Sequence, residues 1–131
     1  MGLDIEALTW KPADPASNAE VARHLAAADV VVSTLPAGAA DPLAAVLDEA
    51  VGPAGGTRPG AVMLDVVYAP WPTPIAEAWE RGGGTVAPGW LMLLHQAVPQ
   101  VRLMTGRQPD TEGMRAALLP VLATPSATNA D

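Results

Sequence analysis

An α/β fold built around a parallel sheet is predicted by three features of this sequence. Short apolar runs alternate with longer stretches of helical period along the 131 residues, in the order β-α-β-α-β-α-β-α-α of a doubly wound sheet. Three consecutive valines, Val30 to Val32, argue for a strand buried on both faces, as parallel strands are. Twelve glycines and fourteen prolines punctuate the junctions, twice as a helix-opening pair, Asp41-Pro42 and Thr73-Pro74.

The elements follow in order. Residues 5–10 read as a first short strand. Ser17 and Glu20 have the spacing of a capping box, and the helix they open runs to about Ala27 with Val21, Leu25 and Ala28 at core spacing. A strand over 29–34 ends in the loop Pro36-Ala37-Gly38. Asp41 caps a second helix carrying Leu43, Val46, Leu47 and Ala50, and a turn-rich connection over 52–60 leads to an apolar strand at 61–67. Thr73 caps a third helix that closes on Arg81 and Gly82-Gly83-Gly84. A cation in the last turn and glycine just beyond it suit the negative end of a helix. A brief strand over 85–87 precedes a long apolar helix at 90–105, and Asp110 opens a last helix reaching about Ala123. Pro99 and Pro120 each remove a backbone donor, so a kink or break is expected near Val98. Residues 1–123 form one domain on this reading and 124–131 a flexible tail.

Composition narrows the function. With half its residues apolar and a mean hydropathy of +0.22, the chain is no disordered polymer. Fourteen acidic residues outweigh seven basic ones, and the basic residues are scattered, which argues against a nucleic-acid binder. Cysteine is absent and His24 and His95 lie far apart, so no disulfide and no metal site is expected. No apolar run reaches the ~18–20 residues that span a bilayer, and the start MGLDIEALTW lacks a basic region followed by an apolar one. A cytoplasmic protein without a membrane partner is the expectation. G-x-G-x-x-G, Walker A and G-x-S-x-G motifs are missing, and Gly82-Gly83-Gly84 follows a helix rather than a strand.

Ligands of open parallel sheets sit outside the carboxyl ends of the strands. Three segments fall there. In Ser33-Thr34-Leu35-Pro36-Ala37-Gly38, short polar residues and a glycine able to take positive φ let the backbone turn close to a ligand, although such loops are generic in α/β units. In the segment from Asp65 to Pro74, Tyr68 offers a phenol and a flat face, and the prolines hold one loop shape. Asp65 could equally cap a turn and Tyr68 lid the core. In the segment from Pro88 to Gln96, the leucines and Met92 at helical spacing suit a core, whereas Gln96 at the start of an apolar helix suits a polar cleft or a partner carbonyl.

Taken together, Asp29-Val-Val-Val-Ser-Thr-Leu-Pro-Ala-Gly38, Asp65-Val-Val-Tyr68-Ala-Pro70 with Thr73-Pro74-Ile75, and Gly89-x-x-Met92-Leu93-Leu94-x-Gln96-Ala97 resemble the C-terminal, NADP-binding half of shikimate dehydrogenases. Arg102 to Gly106 and Met114 to Leu118 fit that family's closing helices. The resemblance implies a Rossmann-like doubly wound sheet, incomplete because the first βαβ unit is missing, and closed by C-terminal helices. It implies NADP-dependent reduction of 3-dehydroshikimate to shikimate, in aromatic amino-acid synthesis. Related quinate/shikimate dehydrogenases that use NAD share these motifs. The cofactor would meet Ser33, Thr34, Leu35, Pro36, Val66, Gly89 and Met92, and the substrate would meet Tyr68 and Gln96. No catalytic residue is assigned within the chain, because the family's catalytic Lys and Asp belong to a substrate domain that would precede Met1. The resemblance thus implies a fragment whose partner is the missing N-terminal half, inactive alone. In the strand order 3-2-1-4-5-6, the missing strands would sit between those at 5–10 and 29–34, leaving the latter an exposed edge. Leu35, Leu91 and Pro99 depart from the family pattern and favour the alternative, a non-catalytic interaction or regulatory module on a degenerate dinucleotide-binding fold.

Overall fold

Each of the three strands of this chain is four residues long. The computed structural model describes residues 4–50 and 56–123. Their order is α1 (Pro15–Ala27), β1 (Val30–Ser33), α2 (Asp41–Ala50), β2 (Val62–Asp65), α3 (Pro74–Arg81), β3 (Thr85–Pro88), α4 (Gly89–Thr105) and α5 (Thr111–Ala123). The three strands form one parallel sheet in the order β1-β2-β3. Val31, Met63 and Val86 stand in register, as do Ser33, Asp65 and Pro88, so the carboxyl ends of all three strands are level. The tail expected at 124–131 and part of the 52–60 connection lie outside the described residues.

The core lies on one face of this sheet. Val31 and Met63 point into it and meet Ala22 of α1, Leu43, Ala44 and Leu47 of α2, and Ile75, Ala78 and Trp79 of α3. Trp79 is fully buried and is the largest side chain there, in a chain that contains no phenylalanine. Small residues at Ala22, Ala44 and Ala78 let the three helices lie close to one another and to the sheet. Thr73 caps α3 by accepting from the Ala76 amide at 3.3 Å, with Pro74 in the first turn and Gly82 as C-cap, as the sequence predicts. The Gly82 carbonyl accepts both the amide and the hydroxyl of Thr57, at 2.9 and 3.1 Å, which ties the end of α3 to the segment entering β2.

Four sequence expectations need correction. Residues 5–10 form no strand. Ile5 is 86% exposed, and the segment is anchored only at its end, where the Trp10 indole donates to Asn18 Oδ1 at 2.7 Å. A strand exists only against a neighbour, and among the described residues these have none. The N-cap of α1 is Asp14, with Pro15 behind it, and not Ser17; Ser17 Oγ accepts from the Lys11 amide, fastening the incoming segment. Val30 and Val32 are 67% and 57% exposed, so β1 is buried on one face only. Helix α4 passes through Pro99, and α5 through Pro120, without a break. A proline in mid-helix removes one bond but leaves the turns on either side intact.

On the helix face away from the sheet's carboxyl ends, Arg81 donates Nε to Asp48 Oδ1 at 2.9 Å and Nη2 to Asp48 Oδ2 at 2.6 Å. These bonds hold the Asp48 carboxyl below its ordinary pKa, with partial desolvation opposing and the guanidinium charge adding. The folded pKa lies below the unfolded one, so the pair's contribution is present above the usual carboxylate range and is lost as pH falls through the folded value. Asp48→Asn should therefore lower the urea midpoint slightly at neutral pH. The gap from wild type should close as the solution is acidified; a gap that persists at the acid end would show that the pair is not its source.

Candidate functional site at the carboxyl ends of the strands

Two loops leave the level strand ends and form a groove. The first starts at Ser33, whose carbonyl accepts from the Val66 amide at 3.0 Å, and turns through Pro36 to Gly38 at φ 80°. Only glycine takes that φ without steric cost. The second leaves β2 at Asp65. Between them lies an open groove of about 370 Å³ lined by Thr34, Leu35, Pro36, Ala37, Val66, Val67, Tyr68 and Ala69. Tyr68 is 50% exposed and forms part of the wall instead of lidding the core. Leu35 is half-buried and packs on the core cluster, so the first loop is anchored from beneath.

The third strand end brings in α4. Pro88 is in register with Asp65, and Gly89 follows it at the first turn of the helix. Gly89 is buried against the end of β2: a Cβ there would lie 2.3 Å from the Val66 carbonyl oxygen and 2.9 Å from that of Asp65. This contact seats the helix start on the same peptide that lines the groove. Met92 and Gln96 lie three and seven residues beyond Gly89, which places the three on one helical face. Met92 is half-buried and Gln96 exposed. None of Gly89, Met92, Gln96 and Ser33 lines the groove itself, and Ser33 lines a second hollow. His95 is exposed on the same helix. The ring of Trp90 carries the Arg115 guanidinium 5.8 Å from its centroid, which links the start of α4 to α5.

The role of Asp65, which its sequence position left open, becomes clear. Asp65 is 1% exposed and is bonded within its own loop, so it caps a turn. Its strand-end position was visible; the partner eight residues on was not. The groove is mostly apolar, with Thr34 and Tyr68 as its polar side chains, and no charged residue lines it. Among the described residues no group of histidines or carboxylates is arranged to hold a metal ion, and no helix is long and apolar enough to cross a membrane.

The family model for the shikimate 5'-dehydrogenase C-terminal domain matches residues 89–119, which is α4 and most of α5. Shikimate dehydrogenase (NADP(+)) of Staphylococcus aureus strain JH9 is 32% identical over 103 residues, covering 79% of this chain and 37% of that protein. Among solved structures, Mycobacterium tuberculosis shikimate dehydrogenase superposes with a TM-score of 0.62 at 43% identity, over 76% of this chain and 35% of that one. A shikimate 5-dehydrogenase from Mycobacterium fortuitum gives 0.58 at 42% identity, over 74% and 32%. The chain therefore spans about a third of the length of these relatives. The parallel sheet is accordingly Rossmann-like, and the chain is similar in sequence and in fold to the C-terminal half of shikimate dehydrogenases.

Proposed function

We propose that this chain supplies the nicotinamide side of an NADP-dependent shikimate dehydrogenase, which reduces 3-dehydroshikimate to shikimate in aromatic amino-acid synthesis in the cytoplasm. The observation that carries the reading is the groove at the strand ends, with the start of α4 seated on the Val66 peptide beside it. Its size suits a nicotinamide and its ribose. Its lining holds no cation, so it suits the nicotinamide end of the cofactor and not the phosphates. Thr34, Leu35 and Pro36 would form one wall, with Ser33 supporting them. Val66, Gly89 and Met92 would frame the ring from the other side.

NADPH, when bound, supplies the hydride that reduces the ketone. The chain's own residues orient the reactants. The Tyr68 phenol and the Gln96 amide would hydrogen-bond the substrate's polar groups, and the apolar walls would exclude water from the reacting face. No residue of the groove is placed to move a proton. That task falls to the substrate domain found in the family outside this chain.

The same reading names the partner. The Asp29 and Ser33 carbonyls accept from the Val62 and Val66 amides, so Val30 and Val32 turn their backbone groups outward along an edge that is free among the described residues. A second hollow of about 270 Å³ flanks that edge, lined by Trp10, Val21, Leu25, Val31 and Leu35 among others. A strand of the family's N-terminal half, added there, would pair with β1 and cover both.

A chimera tests the whole reading. This chain replaces the matching region of the Mycobacterium tuberculosis relative, and shikimate-dependent NADPH formation is measured. Turnover supports the dehydrogenase. A folded chimera that binds neither NADP nor shikimate supports a non-catalytic module instead. In the active chimera, Tyr68→Phe and Gln96→Ala should each raise the KM for shikimate about tenfold, the worth of one hydrogen bond within a binding site. Unchanged kinetics in both would remove these two residues from the site.

A further inference from the structure

Asp65 ends the central strand with its side chain in the core, and among the described residues no cation pairs with it. A buried carboxylate is costly unless its oxygens are well bonded. Both are. Oδ1 accepts from the Val67 amide at 3.2 Å, and Oδ2 accepts from the Thr73 hydroxyl at 2.6 Å. The hydroxyl has a single proton. Because that proton goes to Asp65, the Thr73 oxygen is left with its lone pairs toward the Ala76 amide, where it caps α3. One carboxylate thus grips the loop two residues after it and again eight residues after it. Among the described residues, the backbone of 67–72 makes no backbone–backbone hydrogen bond. The two grips fix the ends of this stretch, Pro70 and Pro72 restrict the backbone between them, and Tyr68 is the residue next to the first grip.

We propose that Asp65 is a positioning residue: its buried carboxylate clamps the two ends of the 66–73 loop and so sets Tyr68 at the wall of the groove. The proposal rests on the reading of Tyr68 as a substrate contact. The chemistry requires a carboxylate in particular. An amide of the same size offers one acceptor oxygen and turns an N–H toward the other donor. Asp65→Asn therefore breaks one grip without changing volume, and Thr73→Val breaks the other while keeping its shape.

Tyr68 is the sole tyrosine in the chain, so 3-fluorotyrosine places a single fluorine resonance on this ring. In the chain itself, Asp65→Asn and Thr73→Val should move or broaden that line and shift the Val67 amide, with the Trp79 indole signal reporting an intact core. Thr73→Ser, which keeps the hydroxyl, should restore both signals. If Asp65→Asn fails to fold, the Thr73→Val and Thr73→Ser pair decides. A folded Thr73→Val variant with fluorine and Val67 signals at their wild-type positions overturns the clamp. In the chimera, Asp65→Asn and Thr73→Val should raise the KM for shikimate about tenfold while kcat changes less than about threefold. Asp65→Asn should add nothing in a Tyr68→Phe background, since the two act through one contact. Independent, additive losses would overturn the positioning role. An inactive chimera refutes the dehydrogenase reading and leaves the fluorine experiment to judge the clamp by itself.

Discussion

Gly84→Ala is expected to lower the stability of the chain by about 1–3 kcal/mol, the usual cost of overpacking a core, with this site at the upper end. A Cβ at position 84 would lie 2.2 Å from Trp79 Nε1, 2.5 Å from Cδ1 and 2.8 Å from Cε2. The indole cannot step aside, because it is fully buried among α2, α3 and the sheet. Its N–H is also a buried donor without a hydrogen-bond partner among the described residues, so the ring is held by packing alone. Urea unfolding measures the effect directly. Trp79→Leu in the same background removes the flat ring that position 84 would meet and should recover part of the loss, although Trp79→Leu alone is destabilising. Strictly additive changes would show that the ring and position 84 do not meet.

Gly89→Ala is the second, and its largest effect is expected on function. The added methyl would meet main-chain atoms, the Val66 carbonyl at 2.3 Å and the Asp65 carbonyl oxygen at 2.9 Å, and main chain at the end of a central strand does not yield. The start of α4 must move away, carrying Met92 and Gln96 with it. A displacement near 1 Å at a site that positions reactants costs on the order of 10²-fold in rate. In the chimera, kcat/KM should fall about that far, and the amide signals of Val66 and Val67 should shift. Gly84→Ala serves as the control, since its clash lies in the core, against Trp79 rather than against Val66. A folded Gly89→Ala chimera with wild-type kinetics would detach α4 from the site.

Local signals were legible in the residues themselves. Thr73-Pro74 and Arg81-Gly82 mark both ends of α3 because capping acts within one turn of the chain. The loop at Gly38 and the strand end at Asp65 could be placed for the same reason. The capping box at Ser17 misled because its side chain had another partner, the Lys11 amide six residues earlier. Gly89 was recognised as part of a motif, but its reason, the Val66 carbonyl, comes from a residue twenty-three positions earlier. Gly84 carried no signal at all beyond a helix cap.

The residues alone determined the alternation of helices and strands, their limits to within a few positions, and which three segments would stand at strand ends. Those properties depend on dihedral preference, capping and period, which neighbours in the chain decide among themselves. Tertiary structure decided whether an apolar run becomes a strand or an unpaired arm, as at 5–10, and which face of β1 is covered. It also decided that Asp65 would spend both oxygens on its own loop. Each of these depends on a surface contributed by a distant part of the chain, and burial is a property of that pairing and not of the sequence on either side of it.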